Sequence, residues 1–248
     1  MTLPPGHWAR GPIAVIDTET TGLEAHLGHR LLEVAVVHFD DGEISGRWSA
    51  VVDPERSIPE DVQALCGFRP ADVEGKPRFA DIADAFLQQL QGRLLCAYNV
   101  PFDRAFLLYE LARCGRALPE GAVFVDPLVL AKVQHKGQGK MKLGLVAQRL
   151  GIALEEAHRA EPDAVCAGQV LLSLAAQTPA DLDEMLDLHE GWEAEQHGAK
   201  QAWRHNKAGA STATVGDMRA EEGLGPTYPH GDELDPIRYM FLRGTGRA

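Results

Sequence analysis

An Asp-Gly pair set between two long strand-like runs is the feature that most constrains this chain. Arg30–Asp40 reads RLLEVAVVHFD and is dense in Val and Leu, and Glu43–Val52 is a second run of strand-forming character. Asp41-Gly42 joins them, and two residues that tolerate positive φ between strands specify an antiparallel hairpin. Ile13–Asp17 (IAVID) precedes the hairpin as a short buried strand, and Leu94–Tyr98 and Ala122–Val125 read as two more. Helical spacing or a proline at the first turn predicts helices over Pro59–Cys66, Phe79–Leu90, Pro101–Arg113, Pro127–Val133, Lys142–Leu150 and Pro162–Gln177. Three strands followed by alternating helices and strands predict an α/β fold, a mixed five-stranded sheet flanked by helices. Ala180–Asn206 reads as a further helix, and from residue 207 onward Gly, Thr and Pro replace any periodicity. The expected division is an arm over 1–12, one domain over 13–178, and a helical then irregular extension over 179–248.

Composition removes several classes of function. With 45% hydrophobic and 24% charged residues the chain has an ordinary globular balance. It contains no apolar run of 18 residues and no basic head followed by an apolar block, so neither a membrane span nor a secretory leader is expected. Cys66, Cys96, Cys114 and Cys166 are widely spaced and form no CxxC pair, so a disulfide framework is not expected and a reduced, cytoplasmic setting is. A formal charge of −12 argues against coating nucleic acid with a broad basic surface. It leaves open a grip at one point through bound cations. Residues 179–248 carry 7 Lys/Arg against 13 Asp/Glu, so the extension is the more acidic part. The richest basic stretch is Lys132, Lys136, Lys140, Lys142 and Arg149, which reads equally as a solvated face or as a contact with a polyanionic backbone.

Three short elements carry the chemistry. Asp17 and Glu19 stand two apart at the end of the first strand, so both carboxylates point to one face. Close carboxylates repel unless a cation neutralises them, and hard oxygen ligands suit Mg²⁺ or Mn²⁺. Asp103 falls in the first turn of the helix that follows Tyr98-Asn99-Val100-Pro101-Phe102, at a strand end, where α/β sheets place their sites. His158 precedes another helix, and Asp163 lies in that helix's first turn. A neutral imidazole there can take a proton from water. Taken singly, each element has a plain structural role: an acid capping a turn, a charge at a helix N-terminus, a surface histidine. The remaining histidines, His26, His29, His38, His135, His189, His197, His205 and His230 among them, share no ligand spacing and read as surface or satisfied core residues.

Together the three elements resemble the DEDD exonuclease superfamily, in the branch whose third motif carries histidine. The motifs are Val15-Ile16-Asp17-Thr18-Glu19-Thr20-Thr21-Gly22-Leu23, Asn99-Val100-Pro101-Phe102-Asp103, and His158 through Asp163. The resemblance runs from about Ile13 to Ala176, is strongest toward the proofreading epsilon subunit of DNA polymerase III, and includes Asp126 in Asp126-Pro127-Leu128. It implies a ribonuclease H-like fold. It also implies two divalent cations, Mg²⁺ or Mn²⁺, held by Asp17, Glu19, Asp103 and Asp163, with His158 as the base. Thr20, Leu23, Asn99 and Phe102 would then face the terminal nucleotide, Phe102 more as a pocket wall than as a stacking ring. The implied activity is stepwise release of nucleoside 5′-monophosphates from a 3′ end, single-stranded DNA above all. The same chemistry serves an RNA-directed exoribonuclease, and a non-catalytic module of a polymerase or repair complex would keep the same fold; the presence of all five signature residues favours an active enzyme. A polymerase or repair-complex partner, or self-association, would use the extension, whose Leu182, Met185, Leu186, Leu188 and Trp192 need a surface to cover them. Two positions depart from the family pattern: Tyr98 and Cys66 stand where histidine is frequent.

Overall fold

The computed structural model describes residues 3–154 and 158–210, with side chains through residue 199. The strands are β1 (Ile13–Thr20), β2 (Leu31–Asp40), β3 (Glu43–Val51), β4 (Leu94–Cys96) and β5 (Phe124–Val125). The helices are α1 (Glu60–Cys66), α2 (Pro70–Val73), α3 (Phe79–Leu90), α4 (Val100–Arg113), α5 (Pro127–Gln134), α6 (Leu143–Leu150), α7 (Ala160–Ala175) and α8 (Leu182–Ala210). The sheet order is β3-β2-β1-β4-β5. The first three strands are antiparallel neighbours, whereas β4 and β5 join in parallel, which makes the sheet mixed. Asp41 at φ 56° and Gly42 at φ 82° form the tight β2–β3 turn, the backbone that the Asp-Gly pair predicts. The helix α2 was not expected, because four residues carry no readable period.

Side-chain alternation along β1 divides the interior into two cores. Ile13 and Val15 pack with Val37, Phe39 and the apolar faces of α5, α6 and α7. Ala14 and Ile16 pack on the opposite side with Phe79, Phe86, Phe106 and Leu107 of α3 and α4. By the same period of two, Asp17 and Glu19 continue the α7-facing row, and Thr18 continues the α4-facing row. The central strand therefore sends its acids toward one helix and a hydroxyl toward another. Gly168 sets how close α7 comes to the sheet: a Cβ there would lie 2.2 Å from Cε2 of Phe39. A third, smaller cluster of Leu32, Ile58, Cys66, Phe68 and Val73 anchors α1 and α2 beside β2.

The described residues through Ala194 form one compact unit, and a second begins at Glu195, of which the described part is the helical stretch to Ala210. The first unit extends past residue 178 into α8. Met185 is fully buried there, and Leu186 and Trp192 pack against the α7-side core, whereas Leu182 and Leu188 are more exposed. At the other end, Trp8 and Ala9 are buried in the same core, and the Trp8 N–H donates to the Ala180 carbonyl at 2.9 Å. The expected irregular arm beyond residue 210, with its apolar stretch Asp235–Leu242, lies outside the described residues.

Candidate active site

The sheet's carboxyl edge places the acids. β1 and β4 run parallel, with Val15 beside Cys96, so the ends of both strands and the start of α4 fall together. Asp17, Glu19 and Asp163 each bring one carboxylate oxygen into a half-buried group in which all three lie within 4.8 Å of one another. Asp103 is outside that trio but beside it, 3% exposed, accepting a hydrogen bond of 2.8 Å from the Thr18 hydroxyl. His158 is exposed; its backbone N–H donates to Asp163 Oδ2 at 2.9 Å, and its φ of 69° turns the chain into α7.

Electrostatics follow from this crowding. Burial, then the charges of Asp103, Asp163, Glu19 and Glu33, holds the Asp17 carboxyl well above the usual carboxylate range. Glu19 is pushed up to about 7 by burial and by Asp163, Glu33 and Asp103, with Arg159 opposing. Burial raises Asp103 to about 7 against the pull of the Thr18 hydrogen bond. Asp163 is raised by burial, while the His158 N–H works the other way. Clustered acids whose ionised forms disfavour one another suit a hard divalent cation, which removes the repulsion by occupying the space between them. An all-oxygen set of this kind suits a hard cation better than a soft metal.

The family model described as Exonuclease matches residues 14–171. The chain belongs to this exonuclease family. It is 32% identical over 160 residues to the 3′-5′ exonuclease DinG of Bacillus subtilis, covering 64% of this chain and 17% of that protein. It is 37% identical over 153 residues to the DNA polymerase III subunit epsilon of Treponema pallidum, covering 60% of this chain and 70% of that one. Among solved structures, Exonuclease X in complex with 5′ overhanging duplex DNA superposes with a TM-score of 0.59 at 23% identity, over 71% of this chain and 99% of that chain. The shared architecture is the ribonuclease H-like sheet of the exonuclease fold.

Around this exonuclease-family centre, the other expected residues take distinct places. The Thr20 hydroxyl donates to the Gly22 carbonyl at 2.6 Å. Gly22 has no room for a side chain, because a Cβ would meet the His29 ring at 2.3 Å, and this close approach shapes the turn that presents Leu23. Leu23 is 80% exposed. Phe102 is half-buried with its ring 5.1 Å from that of Phe106, as a wall residue would be. Asn99 adopts φ 73° at the start of α4. Tyr98 turns away, donating its hydroxyl to the Met141 carbonyl at 2.7 Å. Cys66 is buried, with its thiol donating to the Val62 carbonyl and its pKa raised by burial. It lines a 420 Å³ cavity with Gly67, Phe68, Lys76 and Arg159 among others. The lysines at 132, 136, 140 and 142 are exposed, whereas Arg149 donates to the Gln138 and Lys140 carbonyls and so braces the loop before α6.

Sequence reasoning missed the groups that hold these residues in place. Glu33, 4% exposed, faces Glu19 across the β1–β2 ladder and accepts both Nε and Nη2 of Arg159 at 3.1 Å, together with the Ala160 N–H. It therefore pins the first turn of α7, which carries Asp163. The guanidinium of Arg159 also lies over the Phe68 ring at 5.2 Å. A signal was available: an acid inside the apolar run Leu31–Phe39 must find a partner when buried. Arg30 binds Glu110 of α4 at 2.6 and 3.0 Å and Glu55 at 3.0 Å, which locks that helix to the sheet.

Proposed function

We propose that this exonuclease-family chain is a divalent-metal-dependent 3′–5′ exonuclease that releases nucleoside 5′-monophosphates stepwise, with single-stranded DNA as its substrate. The observation that carries it is the convergence of Asp17, Glu19 and Asp163 within 4.8 Å of one another, beside buried Asp103. Asp17, Glu19, Asp103 and Asp163 would hold two cations, Mg²⁺ or Mn²⁺, whose charge would offset that of the four carboxylates. When bound, such cations supply Lewis-acid stabilisation of the phosphoryl oxygens and a more acidic water. His158, exposed at the rim, takes the proton of the attacking water. The Thr20 backbone and hydroxyl oxygen hold the 3′ terminus, Leu23 wedges against the terminal base, and Asn99 and Phe102 wall the pocket. DNA is preferred to RNA because a relative named as a DNA polymerase III subunit matches over most of its own length. A polymerase or repair complex, or a second copy, is the partner for the C-terminal extension.

Matched 3′-labelled DNA and RNA oligomers, incubated with the full chain and Mg²⁺, Mn²⁺ or chelator, test the proposal. The expected result is metal-dependent mononucleotide release from the 3′ end, faster on DNA. Faster RNA digestion would reassign the substrate, and no release from either would overturn the activity.

A further inference from the structure

The junction that launches α4 is held by a buried aspartate whose own backbone is bonded to a side chain from beyond the exonuclease family match. Asp126, 4% exposed, follows β5, and its carboxylate accepts three backbone N–H groups. These come from Asn99 at 2.9 Å, Val100 at 3.0 Å and Leu128 at 2.8 Å, so one carboxylate ties the start of α4 to the start of α5. Asp126's own N–H donates to Nε2 of His189 at 3.0 Å. His189 lies on α8, is 6% exposed, and falls in the first compact unit but outside the family match at 14–171. To accept there, the imidazole must carry its proton on Nδ1.

We propose that Asp126 and His189 are positioning residues for Asp103, and that α8 is thereby an integral support of the active site. The geometry is a relay of fixed contacts. His189 sets the backbone at Asp126, the Asp126 carboxylate sets Asn99 and Val100, and Asn99 enters α4 from a left-handed conformation. Asparagine tolerates such a conformation, and the two hydrogen bonds to the Asp126 carboxylate hold the chain in it. Asp103 lies in the first turn of that helix, so a rotation of the junction moves its carboxylate relative to Asp17. Neither positioning residue touches substrate or cation; each acts through the placement of Asp103.

This inference rests on the proposed nuclease activity, and the test separates the two. His189→Phe keeps volume but removes the acceptor, and His189→Gln offers an acceptor near the Nε2 position. Both are assayed as full chains at a temperature where circular dichroism shows them folded. At saturating metal, His189→Phe is expected to lower kcat by about ten- to a hundredfold, the scale of an ångström-level misplacement, with a smaller rise in KM for the oligonucleotide because Asn99 moves with the junction. His189→Gln should recover most of that loss. A folded His189→Phe with full kcat overturns the proposal, as does a Gln variant no better than Phe, because packing alone would then explain the position. A third measurement needs neither variant nor activity: ¹⁵N NMR of the unmodified chain should show the His189 proton on Nδ1, and a proton on Nε2 overturns the relay. If the unmodified chain degrades no oligomer while its His189 tautomer is as expected, the nuclease reading fails and the junction stands.

Discussion

The two sides of the candidate site are built differently. On one side, Asp17 and Glu19 extend from β1, a strand paired on both edges at the centre of the sheet. On the other, His158 is an exposed residue with positive φ two residues before α7, tied to Asp163 through its backbone. The contrast matches two physical demands. Cation ligands must hold fixed distances against their own repulsion, which requires a rigid frame. A group that accepts a proton from water needs access to water and returns to solvent between turnovers. The molecule places its clustered charge where the backbone is most constrained and His158, the proposed base, where the surface is open.

The sharpest way to break this comparison is at the rigid side. Asp17→Asn should reduce nuclease activity to background with Mg²⁺ and remove most of the metal-induced rise in Tm. In chelator its Tm should equal or exceed that of the unmodified chain, since one source of repulsion is gone. Full activity in this variant would sink the assignment. On the open side the effect should be smaller. His158→Ala should lower kcat by about 10²–10⁴-fold, the usual worth of a general base, while calorimetry finds metal binding nearly unchanged. Loss of metal binding in that variant would place His158 among the ligands.

The frame that links the two sides gives a third test. Glu33→Ala removes the carboxylate that Arg159 and the Ala160 N–H share. Because the Arg159 side chain is partly exposed, the expected loss is about 1–3 kcal/mol of stability, measured by denaturant unfolding, rather than the full value of a buried pair. Weaker metal binding should accompany it, since Asp163 sits in the turn that Glu33 pins; unchanged stability and unchanged metal affinity would show the pair to be incidental.

The last test is the pH dependence of the metal-free chain. Glu19 and Asp103 titrate near 7 in the folded state, above their unfolded values, so the fold holds their protons more tightly than the unfolded chain does. Their contribution to stability is complete below the ordinary carboxylate range and is lost as pH rises through about 7. In chelator, Tm should therefore fall between pH 5 and pH 8, and saturating Mg²⁺ should flatten or reverse the trend. A metal-free Tm that rises over that interval would contradict the crowding of these acids.

Much of this architecture is legible in the sequence. Asp41-Gly42 predicted its hairpin, the spacing of Asp17 and Glu19 predicted one shared face, and Pro162 marked the first turn that carries Asp163. Element ends were less legible. The fourth strand stops at Cys96 rather than Tyr98, and the fifth is only Phe124–Val125, because ladder pairing across the sheet, rather than β-propensity, decides where a strand ends. His189 had no sequence signal at all: one histidine among many on a polar helix looks like a surface residue until Asp126 is found beneath it.

What the sequence determined by itself was periodicity and chemistry: which residues could share a face, which turns were possible, and which side chains could bind a cation. Only the tertiary structure decided which partner each buried polar group receives. Thr18 reaches Asp103 across 85 residues of chain, Asp126 reaches His189 across 63, and Glu33 reaches Ala160 across 127. Local propensity acts over a few residues, whereas the cost of an unpaired buried charge or N–H is met wherever the fold brings a partner close. The clustered acids are therefore visible as motifs, and the groups that aim them become visible only when the sheet brings them together.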